Sequence, residues 1–217
     1  MTKQIPDKVL FKNQEYILAG LKGNGLLTPI DFGITATMMT TGCYRGYFCQ
    51  YTCLDDKLFL TELTVRPHNH KIPIIDGISA NLETFALAPQ YQNLKILCPL
   101  SGGLVIVRNP FLHVGTFPRP LEFSEVIEII FEQGILQSEI DHSVKMANLR
   151  QLADELRKTH WPTVELLGLI RKSRASPEKL STIEWEKVQD YLKGIQDIHD
   201  VVWSFVSNYK QQPTIKN

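Results

Sequence analysis

The chain has 217 residues, 43% of them hydrophobic and 21% charged, proportions that build an ordinary core and exclude wholesale disorder. Its 23 basic side chains balance 23 acidic ones, which argues against a dedicated nucleic-acid binder, because such proteins carry a basic excess on one surface. No apolar run approaches the ~18 residues of a membrane helix.

The opening Met1-Thr2-Lys3-Gln4-Ile5-Pro6-Asp7 lacks the apolar stretch of a signal peptide. The expectation is a cytoplasmic protein with no membrane and no nucleic-acid partner. Residues 143–217 hold 12 Lys/Arg against 9 Asp/Glu, and residues 1–142 hold 11 against 14. That asymmetry is too small to name a partner.

From Val9 to about Ile140 the chain reads as short strands broken by Gly, Pro, Asn and Asp. Val9–Phe11 and Tyr16–Leu18 flank Lys12-Asn13-Gln14-Glu15, which suits a hairpin. Gly20-Leu21-Lys22-Gly23-Asn24-Gly25 reads as a turn. It lacks the Gly-Lys-Ser/Thr ending of a phosphate loop, and Leu26-Leu27-Thr28-Pro29 opens no helix after it.

Cys43–Cys53, aromatic and small on both faces, reads as a buried central strand. Leu58–Val65 returns beside it after Asp55-Asp56-Lys57. Leu94–Leu97 and Gly103–Val107 suggest a second hairpin around Pro99-Leu100-Ser101-Gly102-Gly103. Val126–Phe131 and Ile135–Ile140 suggest a third, turning at Glu132-Gln133-Gly134. The segment Leu54–Leu63 lines up with Phe131–Ile140, a weak repeat that would make two similar β-meanders.

From Ser143 the apolar period becomes helical. Asp141 or Ser143 can cap a helix to about Lys158, with Met146, Leu149, Leu152, Ala153 and Leu156 on one face. Thr159-His160-Trp161-Pro162 breaks it, and Val164–Lys172 suits a second helix. Ser181-Thr182-Ile183-Glu184 has capping-box spacing and opens a last helix to about Tyr209. There Val188, Ile195, Val202 and Tyr209 recur every seven residues, with Tyr191, Ile198 and Phe205 between them. The seam is wide, so it predicts a helix packed on protein rather than a free zipper. Trp203 falls just outside it, beside Asp200, Ser204 and Ser207, and is a candidate interface anchor for a homodimer or for the β-rich region.

The predicted fold is α+β: antiparallel β-meanders, as a sandwich or strongly twisted sheet, over residues 1–142, and a C-terminal helical subdomain over 143–217, packed on it or on a partner.

Arg45 carries the best hint of a site. An arginine among Tyr44, Gly46 and Tyr47 must stack on a ring or meet a carboxylate, because a bare buried charge is too costly. Glu62 on the returning strand is the candidate. His68-Asn69-His70 places two imidazoles on one side of an extended chain, but zinc needs a third ligand and only Asp76 stands near. A polar loop is expected there, with no metal and no cofactor. Cys43, Cys49 and Cys53 lack CxxC spacing and read as small core residues. Arg171-Lys172-Ser173-Arg174 suits a helix C-terminus.

Two segments carry a resemblance. Thr41-Gly42-Cys43-Tyr44-Arg45-Gly46-Tyr47-Phe48 with Asp56–Leu63, and Leu100–Arg108 after them, resemble an uncharacterised bacterial family. In that family an aromatic-Arg-Gly-Tyr strand precedes a hairpin, and a Gly-Gly segment precedes an apolar strand. The resemblance covers about half of the chain and departs at Tyr44, where the pattern has Trp. It implies a fold relationship and no activity; the C-terminal helices lie outside it.

The leading expectation is a non-enzymatic binding or interaction protein of the bacterial cytoplasm, of regulator, adaptor or toxin-neutralising type. The alternative is an enzyme or small-ligand-binding protein with a pocket near Arg45, using Glu62, His68 and His70. A closed, packed β core favours the first and a cupped sheet with converging polar groups favours the second.

Overall fold

The computed structural model describes residues 2–69, 71–82, 88–111, 116–160, 169, 181–184, 186–190 and 193. The chain divides into two compact units between Met146 and Ala147. It is mostly β-sheet with few helices, and the sheet is mixed.

Nine strands make up the first unit: β1 (Lys8–Phe11), β2 (Gln14–Asn24), β3 (Tyr47–Leu54), β4 (Lys57–Val65), β5 (Gln90–Tyr91), β6 (Ile96–Leu97), β7 (Ser101–Pro110), β8 (Phe123–Glu132) and β9 (Ile135–Asp141). Their pairing runs β3-β1-β2-β7-β8-β9-β4, and β4 pairs with β3 again. Seven strands therefore close into a ring, and β6 and β5 continue along the edge of β4 that begins with its pair to β9. Closure shortens the open edges that a flat sheet would present; between β4 and β9 it rests on one residue pair, Lys57 opposite Ile135. An odd ring cannot alternate direction throughout, so at least one neighbouring pair must be parallel. That pair is β1 with β3, with Val9 opposite Tyr51. The expectation of purely antiparallel meanders is corrected on this ground.

The interior is filled by alternate side chains. Val9 and Phe11, Tyr16 and Leu18, Cys49 and Tyr51, Leu104 and Ile106, and Ile127, Ile129 and Phe131 all belong to one buried cluster. On β4 the inward set changes from even to odd numbers, with Leu58 and Leu60 followed by Leu63 and Val65. A bulge causes the change: Tyr51 pairs with Leu60 but Gln50 pairs with Glu62, leaving Thr61 extra. A one-residue slip turns every later side chain to the other face. The Thr61 hydroxyl meets the Gln50 carbonyl at 3.1 Å.

Outside the barrel cluster, Val105, Val107, Val126 and Met146 are also buried. Helix α1 (Ser143–His160) follows β9, and the Asp141 carboxylate accepts the Ser143 N–H at 2.7 Å. Hydrogen bonding from the Ser143 side chain, and then from its backbone N–H, holds the Asp141 carboxyl below its ordinary range. Both caps considered from sequence are engaged, since the Ser143 hydroxyl accepts the Val126 N–H at 3.0 Å. At Ser181 the capping box forms, with Ser181 N–H on the Glu184 carboxylate at 2.8 Å and Glu184 N–H on the Ser181 hydroxyl at 3.3 Å. Val188 of the heptad seam is buried. The helix read over Val164–Lys172, apart from Leu169, the cluster Arg171–Arg174, and every seam residue except Val188 lie outside the described residues.

Several other expectations are revised. The Gly20–Gly25 run is no turn for most of its length: through Asn24 it is the second half of β2, paired with β7. Leu94–Leu97 does not form a hairpin with the next strand. Ile96 and Leu97 pair with Leu60 and Phe59 of β4 instead. The strand read over Cys43–Cys53 starts only at Tyr47, and Cys43 packs with Met39 and Ala88 in a separate small cluster, away from Cys49. The repeat shifts by one residue. The turns Asp55-Asp56 and Gln133-Gly134 correspond, so Leu54 matches Glu132 rather than Phe131. These two hairpin tips join each other: Leu58 N–H donates to Gly134 O at 2.9 Å and Leu136 N–H to Asp56 O at 2.7 Å, a reciprocal pair related by a local two-fold.

Candidate functional site

Arg45 lies in the turn that precedes β3. Gly46 makes that turn possible, with φ +76° and so little room that a Cβ would stand 2.0 Å from the Thr37 carbonyl oxygen. The Arg45 guanidinium then reaches back to the segment before β1. Its Nη1 donates to Asp7 Oδ2 at 2.9 Å, its Nη2 bonds Asp7 Oδ1, and its Nε donates to Tyr47 O at 2.7 Å. The guanidinium also stacks 4.6 Å from the centroid of the Tyr47 ring. Asp7 Oδ1 further accepts the Cys49 N–H at 2.7 Å.

This is a bidentate, nearly buried ion pair with both carboxylate oxygens occupied. Burial pulls the Arg45 pKa down, but the charge and hydrogen bonds of Asp7 outweigh it and hold the guanidinium above its ordinary range. The sequence predicts that Arg45 stacks on a ring or meets a carboxylate; it does both, and the carboxylate that grips it is Asp7 rather than the expected Glu62. Glu62 sits opposite Gln50 beyond the Thr61 bulge, on the parity opposite to the core residues Leu63 and Val65.

His68 is exposed and is held by its backbone, its N–H donating to Thr35 O at 2.8 Å. His70 and Trp203 lie outside the described residues. The four candidates Arg45, Glu62, His68 and His70 are thus not shown to converge.

A second polar cluster joins β2, β7 and β8, and nothing in the sequence spacing signals it. The Tyr16 hydroxyl donates to Glu125 Oε1 at 2.6 Å, and Arg108 Nε donates to Glu125 Oε2 at 2.8 Å. Burial and the Glu125 hydrogen bond push the Tyr16 phenol up to about 12. Here too every strong partner is taken, and the cluster staples three strands.

The thiols are poor nucleophiles. Cys43, Cys49 and Cys98 are buried and free, and burial pushes the Cys98 thiol up to about 11. Among the described residues no three of His, Cys, Asp or Glu group closely enough to hold a metal ion.

Among the described residues a concave surface stands open. A groove of about 450 Å³ is lined by Phe32, Ile74, Ile75, Asp76, Lys95, Ile96 and Leu97. Ile74 is 68% exposed and Leu97 43%, and both line the groove. Phe32 closes a short 3-10 turn, Pro29–Phe32, and Ile75–Ile78 form a tight turn through reciprocal N–H···O bonds of 3.0 and 2.8 Å. The sequence predicts a polar loop at His68-Asn69-His70 and assigns no element to the residues after it, so the groove is missed. The aliphatic run Ile72-Pro73-Ile74-Ile75 was the available signal.

No family model, curated protein or solved structure matches the chain.

Proposed function

We propose that this chain is a non-enzymatic binding or interaction protein of the bacterial cytoplasm, and that its recognition surface is the groove between Phe32, Ile74 and Leu97. The observation that carries this reading is the placement of accessible apolar surface. The barrel interior is packed with side chains, as small barrels are, whereas aliphatic residues stand exposed around an outer groove. Exposed aliphatic surface of that kind marks contact sites. The alternative, a ligand pocket around Arg45 and Glu62, has less support because Asp7 occupies the guanidinium.

In this reading the barrel, α+β with a helical subdomain over 143–217, is a scaffold that presents the groove. The family that the Arg45 segment resembles adds no activity. Trp203 is proposed as a second contact, for a homodimer or for the barrel.

The test compares tagged wild type with Ile74→Asp in the native cells. Ile74 is largely exposed, so the variant should unfold at the same temperature within a few degrees. The expected outcome is one partner retained in near-stoichiometric amount by wild type and lost by the variant. Equal retention by both, or stabilisation by small metabolites with no retained protein, overturns the reading.

A further inference from the structure

The groove runs along a strand edge. On β6, Cys98 N–H donates to Leu58 O at 2.8 Å and Leu94 N–H donates to Thr61 O at 3.0 Å, and Ile96 stands opposite Leu60. The even-numbered residues therefore turn their main-chain groups toward β4. In an extended chain the odd-numbered ones must turn away. Lys95 and Leu97 accordingly direct their N–H and C=O groups outward, and among the described residues those groups have no main-chain partner. Both residues line the groove, together with Ile74, Ile75 and Asp76. An unpaired edge beside an apolar slot is the arrangement that accepts an added strand.

We infer that the groove binds an extended peptide segment of a protein partner by strand addition to β6, with aliphatic side chains at alternate positions and an acidic residue near Lys95. Main-chain bonds to Leu97 hold the peptide, and Ile74 and Leu97 receive its aliphatic side chains. Lys95 supplies the charge preference; its ammonium stands 5.8 Å from the centroid of the Phe59 ring, and among the described residues it makes no ion pair. A second copy of the chain is a poorer occupant, since two two-residue strands would share too few bonds. The inference rests on the groove being the recognition surface and adds the mode and chemistry of what it takes.

The experiment selects peptides from a random displayed library on the full chain and follows the enriched ones by amide shifts. Leu97→Pro deletes one outward N–H while sparing the bonds to β4, a position where strand proline is tolerated. The expected result is enrichment of alternating aliphatic peptides with acidic residues, and shifts at Lys95, Leu97 and Ile74–Asp76. Leu97→Pro should weaken binding about tenfold, and Lys95→Glu several-fold for the acidic peptides. Methylating alternate amides of the peptide should abolish binding to wild type, which keeps the test decisive if Leu97→Pro unfolds. No enrichment, shifts elsewhere, or binding indifferent to amide methylation overturns the inference. A cellular partner lost with Ile74→Asp but kept by Leu97→Pro overturns strand addition alone and leaves the interaction reading standing.

Discussion

Replacing Arg45 by methionine would leave the Asp7 carboxylate, itself 3% exposed, with the Cys49 N–H as its remaining partner among the described residues. An orphaned buried charge costs about 3–5 kcal/mol, so Arg45→Met should lower the unfolding free energy by that order. Asp7→Asn with Arg45→Met removes both charges and should recover part of the loss, a coupling of about 2 kcal/mol. Urea unfolding of the three variants measures it, and strict additivity would show that the pair contributes no net interaction. The need for a partner was legible in the sequence, because a charge between aromatic residues must be neutralised. The choice of partner was not. Asp7 lies 38 residues away in a segment that enters no strand, and the Thr61 bulge turns the nearer Glu62 to the other face. Neither fact has a local signature.

At the scale of elements, three of the four expected hairpins form, the one expected between Leu94–Leu97 and Gly103–Val107 does not, and long-range pairings were not legible. The turns at Lys12-Asn13, Asp55-Asp56 and Gln133-Gly134 each connect strands paired through the flanking residues, and polar residues between apolar runs announce them. All six central residues have positive φ, the two-residue turn whose twist suits a hairpin. The other five carry a Cβ and are less suited to that conformation than Gly134. Asp55 and Asp56 hold φ of 48° and 58°, where Asn-Gly is the favoured pair. The double change Asp55→Asn, Asp56→Gly should therefore stabilise the chain by about 0.5–1 kcal/mol and raise its melting temperature by a few degrees. Calorimetry checks the sign, and a lower melting temperature would mean that Asp55 or Asp56 makes an energetically important contact. Gly134 cannot be exchanged in the same way, because a Cβ there would stand 2.3 Å from the Cys98 carbonyl oxygen. By contrast, β1 lying parallel to β3 depends on ring closure, and β6 pairing back to β4 joins segments far apart in the chain; no window of sequence contains either.

At the scale of the barrel, closure makes every strand depend on its two neighbours, so titration of one buried group is felt by the whole ring. Cys98 shows the consequence most clearly. Burial raises its thiol from an ordinary value near 9 to about 11, and burial with the Glu125 bond raises the Tyr16 phenol from about 10 to about 12. Below about pH 8 both groups are protonated in the folded and unfolded chain, and their contribution to stability is complete. Between pH 9 and 11 the unfolded thiol has released its proton while the folded one retains it. Each step up in pH then favours unfolding, and the stability is lost as pH passes through the folded value. The tyrosine repeats this one unit higher. The denaturant midpoint should hence be flat from pH 6.5 to 8 and fall steadily from pH 9 upward. In Cys98→Ala the fall should be shallower between pH 9 and 11, because one of the titrating groups is gone. A midpoint that stays level to pH 11, or an identical slope in the variant, would place the Cys98 thiol in contact with water and the barrel core open at that point.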